Sequence, residues 1–281
     1  MPTVVLTVLA LIAFAANSVL CRVALASGSI DPASFSLLRI ASGAVALFLV
    51  GKGSRGDMRS GGWMPALALV SYAVPFAFSY TRLSAGTGAL ILFGSVQVTM
   101  MSAALRTGER PRLQQWLGLV IAFAGLVYLV WPGMSGPSLP AAVLMTAAGM
   151  SWGLYTLRGR TSRSPLADTA RNFALATPLL IVVSVVTFPM SHAQPKGILL
   201  ALASGVLASG IGYVIWYSAL RGLTAARAAV VQLAVPILAA VGGVMFLDER
   251  ITVRLIVSAL LVLGGIATTS TSSSRTRPSA P

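Results

Sequence analysis

The chain consists of ten apolar stretches, each about long enough to cross a lipid bilayer as a helix and separated from the next by a short polar break. A spanning helix needs roughly 20 mostly apolar residues. Only 9% of the 281 residues are charged, whereas soluble domains carry about a quarter. We therefore predict an all-α membrane protein with about ten transmembrane helices and no soluble domain. The predicted spans are Thr3–Leu25, Ala33–Val50, Trp63–Leu83, Ala85–Leu105, Leu113–Val130, Pro140–Leu157, Ala167–Phe188, Gly197–Leu220, Thr224–Leu247 and Ile251–Thr269.

The positions of the Lys and Arg residues predict the topology. If the N-terminus is cytoplasmic, twelve of these residues fall on the cytoplasmic side and four on the opposite side. Because cytoplasmic loops are enriched in positive charge, we predict a multi-pass protein of a bacterial-type inner membrane with both termini in the cytoplasm. The same bias accounts for the net charge of +14 without a nucleic-acid partner. Residues 271–281 are predicted to form a disordered cytoplasmic tail.

An internal duplication divides the chain. Residues 85–130 align with residues 225–270 without gaps, so that Glu109-Arg110 matches Glu249-Arg250. Five spans per half is an odd number, and the second half must therefore enter the membrane the other way up. Inverted repeats of this kind are characteristic of secondary transporters. We predict one five-helix repeat at residues 1–131, an inverted one at residues 132–270, and a central cavity between them.

Several segments resemble the EamA branch of the drug/metabolite transporter superfamily. The resemblance rests on Gly108-Glu109-Arg110, on Asp248-Glu249-Arg250 preceded by Pro236, and on the stretches 35–39 and 151–155. It implies ten helices in two inverted repeats and transport, often export, of amino acids or metabolites. It also places the chain near the aromatic-amino-acid exporters.

The predicted function is secondary transport of a small organic solute by alternating access. Amino acids, aromatic ones included, or related metabolites are the favoured solutes, moved by export or facilitated diffusion. A multidrug exporter of amphipathic compounds is the alternative that the residues leave open. The six acidic residues all lie outside the middle of the spans, so we predict transport without a dedicated proton-binding carboxylate.

An intramembrane enzyme is disfavoured by the residues that the chain lacks. The single histidine, His192, falls in a loop, so a buried Ser–His pair is missing. No His/Glu cluster or phosphate-binding loop is present in the sequence. We expect no catalytic residues, no cofactor and no metal. The expected partners are a small-molecule substrate and membrane lipid, and a monomer would be sufficient.

Polar and aromatic side chains inside the spans are the candidates for substrate binding. Polar groups that face lipid are costly, so they should face other helices or the cavity. Amides and aromatic rings suit a polar or zwitterionic solute, although amides also bridge helices and aromatic residues also form interfacial belts. The predicted binding residues are Asn17, Tyr72, Tyr80, Gln97, Trp152, Tyr155, Tyr213, Trp216 and Gln232.

Three residues are predicted to contribute to gating because they weaken or bend a helix. They are Pro75 in span three, Gly94 in span four and Pro236 in span nine. The resembled family usually has a proline in span four, where this chain has the sequence Phe-Gly-Ser-Val-Gln at 93–97. Small residues spaced four apart, including Gly205 and Ser209, predict close helix packing.

Four charged residues near the span ends have two interpretations each. Arg39 and Arg22 could bind a substrate carboxylate, but their positions favour bonds to backbone carbonyls near the membrane edge. Glu109 and Glu249 each stand next to an arginine in a turn, so we expect ion-paired helix ends rather than functional carboxylates.

Overall fold

The computed structural model describes residues 3–51, 62–106, 113–131, 137–159, 162–223, 228, 231–232 and 234–271. We number ten long helices in these residues. They are α1 (Thr3–Ala26), α2 (Pro32–Gly51), α3 (Trp63–Tyr80), α4 (Ala85–Arg106), α5 (Leu113–Val130), α6 (Leu139–Gly159), α7 (Pro165–Val186), α8 (Pro195–Leu220), α9 (Ala234–Leu247) and α10 (Val253–Thr271). The predicted turn at Glu109-Arg110 and the predicted disordered tail, from residue 272 onward, lie outside the described residues.

The described elements are helical, and six of the helices are long and apolar enough to cross a membrane: α1, α2, α3, α4, α7 and α8. Parts of α5, α9 and α10 form shorter apolar helices. Three helices begin with a proline, namely Pro32, Pro165 and Pro195. Backbone N–H groups in the first turn of a helix have no acceptor within the helix. Proline, which lacks this N–H, is therefore well suited there. The all-α membrane fold predicted from the sequence is thus confirmed.

The helix pairings keep their pattern when helix n is replaced by helix n+5. α2 packs on α7, α4 on α9 and α5 on α10, which are pairs of equivalent helices. The other large contacts come in matched sets: α3–α6 with α8–α1, α4–α6 with α9–α1, and α2–α8 with α7–α3. A pseudo-twofold axis between two five-helix units produces this pattern. The boundary between the units at residues 131–132 stays a prediction.

Alternate connections meet at opposite ends of the bundle. At one end, which we call the α1–α2 end, Ile30 forms an isolated β-bridge with Ala193, joining the α1–α2 connection to the α7–α8 connection. At the other end, the α2–α3 end, Arg221 donates to the carbonyl oxygen of Arg163 at 2.7 Å. The connections therefore lie at two opposite ends of the bundle, as a membrane-spanning fold requires.

A turn interrupts the ninth predicted span. We expected a span from Thr224; Ala228 and Val231 are helical, and α9 begins at Ala234, while residues 224–227, 229–230 and 233 lie outside the described part. Pro236 lies in the first turn of α9, and in a continuous helix its ring would clash with the carbonyl of residue 232. Gln232 forms a turn, and its Nε2 donates to the carbonyl of Ala228 at 3.1 Å. The chain is therefore interrupted just before Pro236.

Asp31 caps α2 at the α1–α2 end. Its Oδ1 accepts from the backbone N–H groups of Ala33 and Ser34, at 3.1 and 2.9 Å. Its Oδ2 accepts from the N–H of His192 at 3.1 Å, so one carboxylate joins two connections. Burial alone would raise the pKa of the Asp31 carboxyl, but these hydrogen bonds outweigh it and the pKa lies below its usual value.

We expect Asp31→Ala to lower the free energy of unfolding by about 1–2 kcal/mol at neutral pH, because a helix cap is lost. A lowered folded-state pKa means that the carboxylate stabilises the fold fully above the unfolded-state pKa of about 4. This contribution disappears as the pH falls through the folded-state value. Melting of the detergent-solubilised protein from neutral pH to about pH 3 measures the difference between the variant and the wild type.

Asp31→Asn is the control for this experiment, because asparagine is also a good helix cap but does not titrate. Its Oδ1 keeps the cap on α2, but its Nδ2 cannot accept from the N–H of His192. Its melting temperature should therefore lie between those of Asp31→Ala and the wild type at neutral pH. A gap between Asp31→Ala and the wild type that stays the same from neutral to acid pH would show that the carboxylate charge is not responsible.

Candidate functional site

A small cavity lies near the centre of the bundle, between α1, α3, α4, α6 and α8. The free space in it is enough for about one water molecule, so aromatic side chains fill most of the volume that a solute would need. The residues that line it are Phe14, Asn17, Ser18, Tyr72, Phe76, Leu92, Phe93, Trp152 and Tyr213.

Trp152 lies at the middle of the aromatic cluster. Its ring centroid is 4.7 Å from that of Tyr213, 5.1 Å from that of Tyr72 and 5.5 Å from that of Phe14, where the rings meet edge to face. These separations and tilts are typical of favourable aromatic pairs. Helices from both repeats supply the rings, so a relative movement of the repeats would change the shape of the cavity.

The aromatic cluster continues toward the α2–α3 end. The Tyr155 ring is 5.6 Å from Trp152 and 5.9 Å from Tyr217. The Tyr155 hydroxyl accepts a hydrogen bond from Nδ2 of Asn172 at 3.3 Å. Tyr155 and Tyr217 also line a second cavity at this end of the bundle. Its other lining residues are Pro65, Arg158, Gly159, Ser162, Asp168, Thr169 and Asn172.

Arg39 is fully buried on α2, directly behind the wall of the central cavity. Its Nη2 donates to the hydroxyls of Tyr213 at 2.8 Å and Tyr72 at 3.1 Å, and its Nε donates to Oγ of Ser209 at 2.7 Å. Its Cζ lies 5.1 Å from the ring centroid of Phe76 and 5.2 Å from that of Tyr72. We expected Arg39 to bond backbone carbonyls near the membrane edge, and this is wrong. Side chains of α3 and α8 surround it instead.

Asn17 connects this polar cluster to α1. Its Nδ2 donates to the Tyr72 hydroxyl at 3.1 Å, and its Oδ1 accepts from Oγ of Ser204 at 2.7 Å. The Tyr72 hydroxyl thus accepts bonds from both Asn17 and Arg39. Four helices, α1, α2, α3 and α8, meet in one hydrogen-bonded network beside the cavity.

A π-helical segment, Ser204–Ile211, positions the contribution of α8 to this network. It contains both Ser204 and Ser209, the partners of Asn17 and Arg39. Such segments are rare and occur frequently at functional sites. Gly205 lies against α2, where an added Cβ would overlap the carbonyl oxygen of Arg39 and the hydroxyl of Ser42. The small residue therefore allows the close approach of the two backbones.

The structure brings four of the predicted binding residues together. Asn17, Tyr72, Trp152 and Tyr213 all line the central cavity. Their role in binding stays a prediction, but their convergence from four helices fulfils the geometric requirement for it.

The other predicted binding residues lie elsewhere. Tyr80 is buried near the α1–α2 end, where its hydroxyl points to the carbonyl of Ala85 at 3.4 Å. Trp216 is buried against Phe14, with centroids 5.5 Å apart, and is not part of the cavity lining. Tyr155 lines the second cavity, as described above. Two amides complete the set: Gln97 is buried on α4 outside the cavity lining, and Gln232 forms the turn before α9.

The predicted gating residues occupy three different settings. Pro75 lies inside α3, next to the cavity-lining Phe76. A Cβ on Gly94 would come within 2.9 Å of the Leu126 side chain, so this glycine permits close packing of α4 on α5. Pro236 marks the interruption before α9. Gating by these residues stays a prediction.

Sequence reasoning missed several cavity residues, and spacing could have found some of them. Phe14, Asn17 and Ser18 follow an i, i+3, i+4 pattern, which places them on one face of α1. The remaining missed residues, Phe76, Leu92 and Phe93, resemble ordinary apolar core residues. Nothing in the local sequence distinguishes them from side chains that face lipid.

An ion pair lies at the α1–α2 end of the bundle. Nε of Arg22 lies 3.0 Å from Oε1 of Glu249, and both side chains are largely buried. Arg22 also donates to the carbonyls of Tyr80 and Thr81, as expected of a residue near the membrane edge. Oε2 of Glu249 accepts from the N–H of Ala85 at 2.8 Å. The ion pair expected at Glu249 is thus present, but its partner lies on α1 rather than in the same turn.

Comparison with known proteins gives the family. The model of the EamA-like transporter family matches residues 1–131 and again residues 139–271. The chain belongs to the EamA-like transporter family. Its two matches cover nearly the whole chain, and the protein is therefore a membrane transporter built on the EamA repeat.

Individual EamA relatives and a solved structure are consistent with this assignment. An uncharacterized protein of Pseudomonas aeruginosa is 48% identical over 94% of this chain and 93% of its own length. A protein of Escherichia coli named a probable amino-acid metabolite efflux pump is 24% identical over 70% of this chain and 72% of its own length. A crystal structure with 19% sequence identity matches with a TM-score of 0.69, covering 97% of this chain and 99% of that one, and shows the fold alone.

Proposed function

We propose that this EamA transporter moves amino acids, including aromatic ones, or closely related metabolites by alternating access. The observation that carries the proposal is the central cavity, which is lined by aromatic rings, one amide and three hydroxyl groups. The name of the Escherichia coli relative, a probable amino-acid metabolite efflux pump, points to the same class of solute.

The chemistry of the cavity fits a solute with one apolar and one polar end. The rings of Phe14, Trp152 and Tyr213 offer broad apolar faces for a side chain. The Asn17 amide and the Tyr72 hydroxyl offer directed hydrogen bonds. Amphipathic drugs share the first feature but do not need the second, which favours an amino acid over a multidrug substrate.

Alternating access requires that the cavity open to one side at a time. The cavity as it stands has room for about one water molecule, so aromatic side chains must separate before a solute enters. The pseudo-twofold relation between the repeats allows the two ends to exchange roles. With both termini cytoplasmic, as the charge bias indicates, the Arg22–Glu249 pair lies on the outer side, and export delivers the solute there.

The proposed transport is facilitated diffusion or exchange rather than proton-coupled. Within the described residues, the acidic side chains Asp31, Asp168, Asp248 and Glu249 do not line the central cavity. A proton-coupled carrier usually places a titrating carboxylate in the substrate pathway.

Uptake into proteoliposomes tests the function. We expect purified protein to take up labelled amino acids saturably, with or without a proton gradient. Trp152→Ala should lower the initial rate by about tenfold or more, because a central aromatic contact usually dominates a binding site. Trp63→Ala is the matched control, since Trp63 is 57% exposed on α3, and its rate should stay within about twofold of the wild type.

Three outcomes would count against the proposal. Uptake of amphipathic drugs but of no amino acid would favour the multidrug alternative. Equal rates for Trp152→Ala and the wild type would show that the cavity is not the binding site. Loss of concentrative uptake when the proton gradient is dissipated would contradict transport without proton coupling.

A further inference from the structure

Arg39 places a full positive charge in the interior of the bundle. Its side chain is 0% exposed, and among the described residues no carboxylate lies within ion-pair distance of it. Glu249 has Arg22 as its partner. A charge buried inside a membrane protein is costly unless it is paired, and such residues mark substrate pathways.

Neutral groups satisfy only part of the hydrogen-bonding capacity of the Arg39 guanidinium. The hydroxyls of Tyr72, Tyr213 and Ser209 accept bonds from Nε and Nη2. The rings of Tyr72 and Phe76 add cation–π contacts. Nη1 is buried and has no hydrogen-bond partner in the described structure. An arginine has five N–H donors, and the two on Nη1 are unused.

Three of the side chains that contact Arg39 also line the central cavity. Tyr72, Phe76 and Tyr213 all line it, so the guanidinium lies one layer of side chains behind the space proposed for the solute. A solute that displaces a tyrosine hydroxyl would meet the guanidinium directly. The aromatic side chains must already move to admit a solute, as argued above.

A carboxylate is the group that gains most from this exchange. It can accept two parallel N–H bonds from one guanidinium, and these charge-assisted bonds are about twice as strong as bonds to a neutral hydroxyl. An amide or an amine cannot supply the missing negative charge. A phosphate ester would bring about two negative charges, for which the cavity lining supplies no further cation.

We propose that Arg39 binds the carboxylate of the transported solute, which makes the substrate class small monocarboxylates, amino acids among them. This proposal rests on the proposed function and deepens it. The π-helical segment of α8 contributes Ser209, which accepts from Nε of Arg39 and holds the guanidinium beside the cavity.

Competition for phenylalanine uptake tests the proposal. We expect excess 3-phenylpropionate, which keeps the carboxylate, to block uptake of labelled phenylalanine into proteoliposomes. Phenylalaninamide and 2-phenylethylamine, which lack the carboxylate, should compete at least tenfold less well. Equal competition by phenylalaninamide would overturn the role of Arg39 and leave amino-acid transport standing.

Substitutions provide a second arm. Arg39→Gln should raise the KM for phenylalanine at least tenfold, and Arg39→Lys, which keeps the charge but not the paired donors, should recover part of the loss. Arg82→Gln removes an exposed charge from the α3–α4 connection and should leave KM unchanged. A wild-type KM in Arg39→Gln would overturn the proposal.

Binding without transport separates the two proposals. If phenylalanine is not taken up, the melting temperature of the wild-type protein with the same compounds tests Arg39 independently. A rise with 3-phenylpropionate but not with 2-phenylethylamine would support carboxylate binding, although the proposed function would then fail for phenylalanine. No rise with either compound would overturn carboxylate binding at Arg39.

Discussion

A Gly205→Ala variant is expected to unfold at a much lower temperature than the wild type, or to fail to accumulate in the membrane. The added Cβ would overlap the carbonyl oxygen of Arg39 and the hydroxyl of Ser42. A hydroxyl can rotate away, but the carbonyl belongs to the backbone of α2 and cannot move without separating two helices. Overpacking typically costs 1–3 kcal/mol, and a backbone clash should bring the loss to about 3 kcal/mol.

Gly264→Ala is the matched control for this variant. Gly264 lies inside α10, and a Cβ there would meet no atom within 4 Å. Its melting temperature should be unchanged or slightly higher, because alanine favours a helix by up to about 1 kcal/mol over glycine. Melting of both purified variants in detergent gives the comparison. If Gly205→Ala melts with the wild type, the α2–α8 contact is looser than the structure indicates.

The two small residues Gly205 and Ser209, four positions apart, did predict close packing of this part of α8. What it could not predict is the π-helical segment or the partners of the two residues. Ser209 bonds Arg39, which is 170 residues earlier in the chain. Hydropathy and spacing report on one helix at a time, whereas a hydrogen bond between helices depends on how the whole bundle assembles.

The fold was largely predictable because it depends on features of single helices, which the sequence does show. Span number and repeat order depend on local runs of apolar residues, and the bilayer imposes the helical conformation because backbone groups must be satisfied internally. In span nine, Pro236 was expected to bend the helix, but the turn at Gln232 just before it was not predicted. The repeat boundary and the site residues stay predictions.

Arg39 shows why the site was harder to predict than the fold. The residue lies only about two turns after the start of α2 at Pro32. Its position along the helix therefore predicted a location near the membrane edge. Its actual environment comes from Tyr72 on α3 and Tyr213 on α8. Glu249 is similar: the arginine next to it in sequence suggested a local pair, but its partner is Arg22, 227 residues away.

The Arg22–Glu249 pair is expected to keep the α1–α2 end closed, and Glu249→Gln should open it. One glutamate joins the end of α1 to the start of α4, through Arg22 and the N–H of Ala85. Glutamine keeps an oxygen for that N–H but loses the charge that holds Arg22. A partly buried charged bond contributes on the order of 1.5–3 kcal/mol, so an open form should become about tenfold or more better populated.

Cys21 is a native reporter of this opening. It is the one cysteine of the chain, precedes Arg22 on α1 and is 0% exposed. In lipid nanodiscs, a small maleimide should label Cys21 slowly in the wild type and about tenfold or more faster in Glu249→Gln, because the rate follows the population of the open form. No cysteine-free background is needed, and the labelled fraction can be read by mass.

A variant of the neighbouring residue Arg250 distinguishes a specific effect of the Arg22–Glu249 ion pair from a general effect of removing a charge. Arg250→Gln alters the same connection, but Arg250 is exposed, and its labelling rate should match that of the wild type. Faster labelling in both variants would mean that any change in this connection loosens the bundle. Slow labelling in both, with unchanged melting temperatures, would mean that the tight packing of α1, α4 and α9 keeps this end closed without the ion pair. Only faster labelling confined to Glu249→Gln assigns the closure to the bond between Arg22 and Glu249.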